Sequence, residues 1–200
     1  MPAPVVLLLP GWQDSGPTHW QTLWQQRHGY RRVEQHDWMR PLRGDWIARL
    51  QDTVLELEEG RAPDAPARIV LAAHSLGCQL VAAWAAHSNL AHRVRAAFLV
   101  APGDPQRDAL AAVLASWSPV VLQPLPFPAV VLASQDDPYC SFVRAAQFAT
   151  GWRAQLVDYG PTGHINADSG LGDWPDGHVR LMGLCRDDVP ASVSKPSQRT

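Results

Sequence analysis

Apolar positions along this chain follow two alternating patterns. Short unbroken runs, at Val5 to Leu9, Ile69 to Ala73, Val94 to Val100, Ala129 to Ala133 and Ala154 to Val157, read as strands. The branched and small residues of Ile69 to Ala73 suit a strand buried on both faces. A weaker strand is expected around Val33. Between the runs the apolar spacing becomes helical. Helices are expected from about His19 to Arg27 and from an N-cap at Asp45, where Trp46, Ile47, Leu50, Val54 and Leu57 mark one face. After Ser75, residues Leu76, Leu80 and Ala83/Trp84 predict a helix that is apolar nearly all round. Asp104-Pro105 reads as a cap followed by a first-turn proline, opening a helix that reaches Trp117 through Leu110, Val113 and Leu114. Two more helices are expected at Phe142 to Ala149 and about Pro175 to Cys185. Gly60 to Pro66, the proline-rich Pro119 to Pro128 and the Gly-rich Gly160 to Gly172 read as loops.

Strands alternating with helices at this spacing predict an α/β fold, a mainly parallel sheet with helices on both faces. We expect one domain over residues 1–186, followed by a polar tail at 187–200, with no internal repeat. Sites in such sheets form in loops beyond the carboxyl ends of the strands. Gly11 to Ser15, Ser75, Asp136/Asp137 and His164 all fall there.

Composition narrows the picture further. A chain of 200 residues with 46% hydrophobic content can bury a sizeable core. Its net charge of −2 argues against a nucleic-acid or membrane-surface partner, and the arginines between Arg27 and Arg49 are balanced by acids. The first ten residues lack a basic region, and their apolar run is too short for a signal peptide or a membrane span. Three cysteines, Cys78, Cys140 and Cys185, show no C-x-x-C pairing, which suits reduced thiols in a cytoplasm. The histidines lack cluster spacing and H-E-x-x-H is absent, so neither a metal nor a cofactor is expected. Oligomeric state is not legible.

The chemistry centres on Ala73-His74-Ser75-Leu76-Gly77. A buried strand that turns into a buried helix within these residues has the form of a nucleophile elbow, with Ser75 at the apex and small residues two positions either side. The competing reading is that Ser75 merely caps the helix. A serine nucleophile also needs a base and an acid. Ala133-Ser-Gln-Asp136-Asp137-Pro138 follows one strand and Gly160-Pro-Thr-Gly163-His164 follows the next, giving the chain order Ser, acid, His. Spacing leaves Asp136 and Asp137 both open as the acid. An oxyanion hole would use the Leu76 amide at a helix N-terminus and the Trp12 amide after Gly11, with Gln13 the next choice. Gly11, Gln13, His19 and Ile165 are expected around the substrate. His74 should point away from Ser75 as structural support.

Leu-Pro-Gly-Trp-Gln-Asp-Ser-Gly-Pro-Thr-His-Trp20, His-Ser-Leu-Gly77, Ser-Gln-Asp-Asp-Pro-Tyr139 and Gly163-His164-Ile-Asn166 together resemble the small serine hydrolases related to retinoblastoma-binding protein 9, within the α/β-hydrolase superfamily. The resemblance runs from Val5 to about Cys185. It implies that the acid is the aspartate directly before the proline, Asp137. It supplies mechanism better than substrate; with the residues above, the chain is read as hydrolysing small carboxylic esters or related acyl compounds through a Ser75-His164-Asp137 triad and a covalent acyl-enzyme. The alternative is a non-catalytic protein of the same fold that binds a partner or small ligand, using tryptophans such as Trp12, Trp20 and Trp174. The interval from Val100 to Ala129 is largely filled by the expected helix and the proline-rich segment. Little chain remains for a cap, so a shallow pocket for short acyl groups is expected, walled by Trp12, loop residues before Pro119 and Ile165.

Overall fold

A computed structural model describes residues 4–59, 61 and 67–186. The expected 187–200 tail and all of the Gly60 to Pro66 loop except Arg61 lie outside the described residues. Six strands form one sheet: β1 (Val5–Leu9), β2 (Arg31–Arg32), β3 (Ile69–His74), β4 (Val94–Val100), β5 (Ala129–Ala133) and β6 (Gln155–Asp158). Their order is β2-β1-β3-β4-β5-β6, and every neighbouring pair is parallel. Among the described residues six α-helices accompany them: α1 (Trp20–His28), α2 (Arg43–Glu58), α3 (Leu76–Ala85), α4 (Asp108–Ala111), α5 (Phe142–Trp152) and α6 (Pro175–Cys185).

Period-two alternation sorts the strand side chains into two cores. Leu7, Leu9, Leu71 and Ala73 face α2, α3 and α5, meeting Trp46, Leu80, Trp84 and Phe148. Val6, Leu8, Val70 and Ala72 face α1 and α6, meeting Trp20, Trp24 and Leu181. Every residue of β3 is buried, which is why that strand reads as a continuous apolar run. The chain leaves β1 for β2 on one side and returns to β3 on the other. The strand order therefore reverses between β1 and β3, and that crevice is where ligands bind in sheets of this kind.

Two expected elements differ. Helix α2 begins at Arg43 with Leu42 in the cap position, so Asp45 lies in the first turn, where its charge favours the helix dipole instead of capping it. The helix expected from Asp104 to Trp117 is only α4 plus a 3₁₀ turn at Ala115–Trp117. Asp104 is spent on local and long-range contacts. Its carboxylate accepts the Gln106 amide at 3.1 Å and the Arg144 Nε–H at 3.1 Å. Leu114 and Trp117 are buried, but Val113 is 47% exposed, so no continuous helical face reaches the core.

Candidate active site

Ser75 follows β3 with φ 54° and ψ −120°, a positive-φ conformation rare for a side-chain-bearing residue. The turn holds because its amide donates to Val100 O at 3.0 Å and its carbonyl accepts from Cys78 N–H at 3.0 Å. Although Ser75 occupies the cap position of α3, its side chain makes no capping bond. Oγ instead lies 2.8 Å from His164 Nε2. Two glycines let β1 pass close beneath. A Cβ on Gly77 would lie 2.2 Å from Leu9 O, and one on Gly11 would lie 2.7 Å from Ser75 Cβ.

His164 stands in the loop after β6, buried, with its Nδ1 2.9 Å and 2.8 Å from the two carboxylate oxygens of Asp137. Both side chains are nearly enclosed, at 7% and 3% exposure. Asp137 Oδ1 also accepts the Tyr139 amide at 2.8 Å. Asp136 faces elsewhere: its Oδ1 accepts from Ser134 Oγ–H and from the Gly163 amide, each at 2.8 Å. The Ser134 hydroxyl first, then the Gly163 amide, hold its carboxyl below the usual range. The pair that spacing left open is thus divided by geometry. One aspartate meets the imidazole, and the other holds the loop that carries it.

Gly11 to Asp14 form a tight turn closed by Asp14 N–H to Gly11 O at 3.2 Å, with Gln13 and Asp14 both at positive φ. The Gln13 amide donates to Trp38 O at 3.0 Å and is not available to a ligand. The amides of Trp12 and Leu76 have no acceptor among the described residues. Arg32 supports this turn from behind, pairing with Asp14 and donating to Thr22 Oγ1 at 2.6 Å. Gln21 Nε2 ties the same region to Ala72 O at 3.0 Å. On the other side of Ser75, Gln79 Nε2 donates to Gly103 O at 2.8 Å. A Cβ on Gly103 would stand 3.1 Å from Ser75 Oγ. Arg32, Gln79 and Gly103 were not legible as site residues, because each acts across a large sequence separation and none belongs to a motif.

A cavity of about 220 Å³ opens at Ser75. The expected Gly11, Trp12, Gln13, His19 and Leu76 line it, as does His164. Ile165 does not. It is fully buried in the second core at φ 46°, with its carbonyl accepting Trp20 Nε1–H at 2.9 Å. Adjacent residues in this strained loop point to opposite sides, so placing His164 at the site sends Ile165 into the core. Leu110, Leu114, Tyr139 and Asn166 complete the wall. His74 both lines the cavity and, as support, donates Nε2–H to His164 O at 2.9 Å. Burial, then the nearby His19 and His164, push its pKa well below the ordinary histidine value. Burial also raises the Cys78 thiol and pushes Cys140 up to about 12, so neither is an available thiolate. Among the described residues no group of three or more His, Cys, Asp or Glu could hold a metal, and no helix is long and apolar enough to cross a membrane.

A family model described as serine hydrolase matches residues 6–183. Among solved structures, a YdeN-like hydrolase of Pectobacterium atrosepticum is 30% identical, with 92% of this chain and 91% of that one covered at a TM-score of 0.75. The ydeN gene product of Bacillus subtilis is 20% identical over 90% and 98% of the two chains, with a TM-score of 0.70. Est1E of Butyrivibrio proteoclasticus, solved with ferulic acid bound, is 13% identical over 90% and 86%, with a TM-score of 0.63; like the ydeN product, it shows the shared fold alone. No curated protein matches.

Proposed function

The chain belongs to the serine hydrolase family, and from that premise we propose that it hydrolyses small carboxylic esters or related acyl compounds through Ser75, His164 and Asp137. The observation that carries the reading is the unbroken line from Ser75 Oγ through both ring nitrogens of His164 to Asp137, each link 2.8–2.9 Å, at an elbow strained to φ 54°. Ser75 Oγ attacks the acyl carbon while His164 Nε2 takes its proton, and Asp137 fixes the tautomer and stabilises the imidazolium. The Trp12 and Leu76 amides receive the oxyanion, the second at the start of α3 where the helix dipole assists. His164 returns the proton to the leaving alkoxide, leaving an acyl-enzyme. Water activated by the same histidine then releases the acid.

The motif resemblance to relatives of retinoblastoma-binding protein 9, and a cytoplasmic setting for the three free thiols, belong to the same proposal. Of the three tryptophans that the non-catalytic alternative would use, Trp20 and Trp174 are buried in the core, and Trp12 is partly exposed at the wall of the cavity. Labelling with a fluorophosphonate probe, with Ser75→Ala beside the wild type, tests the reading. Loss of labelling, and of turnover to within the roughly 10³–10⁴-fold residual that binding and the oxyanion hole sustain over water, is expected in a folded variant. Wild-type turnover in that variant would overturn it.

A further inference from the structure

Among the lining side chains of the active-site cavity, His19 is distinguished by a buried ring nitrogen without a partner among the described residues, Nε2. The residue is only 5% exposed. Its other nitrogen caps α1, with Nδ1 accepting the Gln21 amide at 3.1 Å. A ring nitrogen that accepts carries no proton, so in the neutral imidazole the proton sits on Nε2. Burial above all, then His164 and Arg32, pushes the His19 pKa down to about 3, and the ring stays neutral at any ordinary working pH. Nε2–H is therefore a fixed single donor. Native proteins rarely leave such a buried donor unmatched.

His74 lies beside it, the ring centroids 4.7 Å apart at 66°. Its Nε2 meets the His164 carbonyl, which can only accept, so that nitrogen carries the proton and Nδ1 is left as an acceptor. His74 Nδ1 has no hydrogen-bond partner among the described residues. Both rings line the same cavity as Ser75. The two rings in the wall beside the nucleophile thus carry one unmatched donor and one unmatched acceptor, in a lining that also includes the apolar Leu110 and Leu114.

We propose that His19 and His74 form a hydroxyl-binding subsite in the acyl pocket, so that the preferred substrates are esters of short hydroxy acids. A hydroxyl is the small group that accepts from Nε2–H and donates to Nδ1 at once. A methyl in the same place would leave both nitrogens unmatched. Sites built around such a pair discriminate strongly against the analogue lacking the hydroxyl. The inference rests on Ser75 as the nucleophile, and its test separates the two.

The experiment compares kcat/KM for the p-nitrophenyl esters of butyrate, 2-hydroxybutyrate and 3-hydroxybutyrate. Each value is divided by the ester's own hydroxide hydrolysis rate, which removes the activating effect of the oxygen. One hydroxy ester should exceed butyrate about tenfold or more in the wild type. The preference should fall to near unity in His19→Phe and in His19→Asn, the second keeping an acceptor for the α1 cap so that the fold is retained. The readout is a ratio within one enzyme, so a general loss of activity does not mimic the result. Wild-type indifference to the hydroxyl would overturn the subsite and leave water as the partner of Nε2. A preference that survives both substitutions would overturn it equally. If the wild type hydrolyses no ester and resists the fluorophosphonate probe, the nucleophile reading fails and the subsite falls with it.

Discussion

Replacing the two adjacent aspartates one at a time separates positioning of the base from support of its loop. In Asp137→Asn the side chain keeps its shape, but one of the atoms now 2.8–2.9 Å from His164 Nδ1 becomes an amide nitrogen that donates. Nδ1 is then driven to accept, the ring proton moves to Nε2, and Nε2 can no longer take the proton of Ser75 Oγ, 2.8 Å away. A wrong tautomer of this kind lowers turnover by about 10⁴-fold, equivalent to about 5.4 kcal/mol at 1.36 kcal/mol per decade. Asp136→Asn is different in kind. Its Oδ1 accepts both of its bonds, from Ser134 Oγ–H and the Gly163 amide, and an asparagine oxygen can accept the same two. Only the charge assistance is lost, and kcat/KM should fall by less than about tenfold. Both variants would be assayed on p-nitrophenyl acetate, with thermal unfolding to confirm that each is folded. An Asp137→Asn enzyme within tenfold of wild type, or a larger loss at Asp136, would refute the assignment.

Other consequences can be checked directly. Since the folded-state pKa of His19 lies at about 3, below the ordinary 6.5, the unfolded chain binds more protons between those values. Stability should therefore be lost as pH falls from 6.5 toward 3, by up to about 1.4 kcal/mol per pH unit. Urea unfolding at pH 7.5, 6 and 5 should show a shallower loss in His19→Asn, and parallel slopes would count against it. Because the cavity that Leu110 and Leu114 help to line holds only about 220 Å³, kcat/KM on p-nitrophenyl esters should peak at two to about six carbons, each buried CH₂ being worth about 0.8 kcal/mol only while there is room for it. A rate still rising at ten carbons would refute this. Turnover should survive EDTA, because a serine nucleophile needs no metal; loss on chelation that a divalent ion restores would contradict the mechanism.

The sheet was legible because its central strands are buried on both faces, so β1, β3, β4 and β5 each carry a short apolar run of strand length bounded by turn residues. The stretch after β4 misled for the converse reason. Leu110, Leu114 and Trp117 recur at helical spacing and follow an Asp-Pro pair, yet the chain forms only α4 and a 3₁₀ turn, with Val113 left 47% exposed. The segment serves the pocket instead, through Leu110 and Leu114. Apolar periodicity records that residues are buried, not what buries them.

The same distinction governs the site. Ser75, Asp137 and His164 were legible as candidates because each follows a strand in a short motif, and strand ends converge at one edge of a parallel sheet. What holds them there was invisible, since it is backbone geometry fixed by distant partners. Gln13, Asp14, Ser75, Ile165 and Trp174 all adopt positive φ without being glycine. Nothing in their identity announces that conformation, which costs of order 1–3 kcal/mol each and survives only where surrounding contacts insist on it. For Ile165 the insistence comes from Trp20, whose indole reaches the Ile165 carbonyl across 145 residues. His74 applies the same restraint one residue earlier, at the His164 carbonyl. The backbone of the proposed base is thus held by two buried aromatic donors, and the positive φ at Ile165 is the strain they sustain to keep His164 turned toward Ser75.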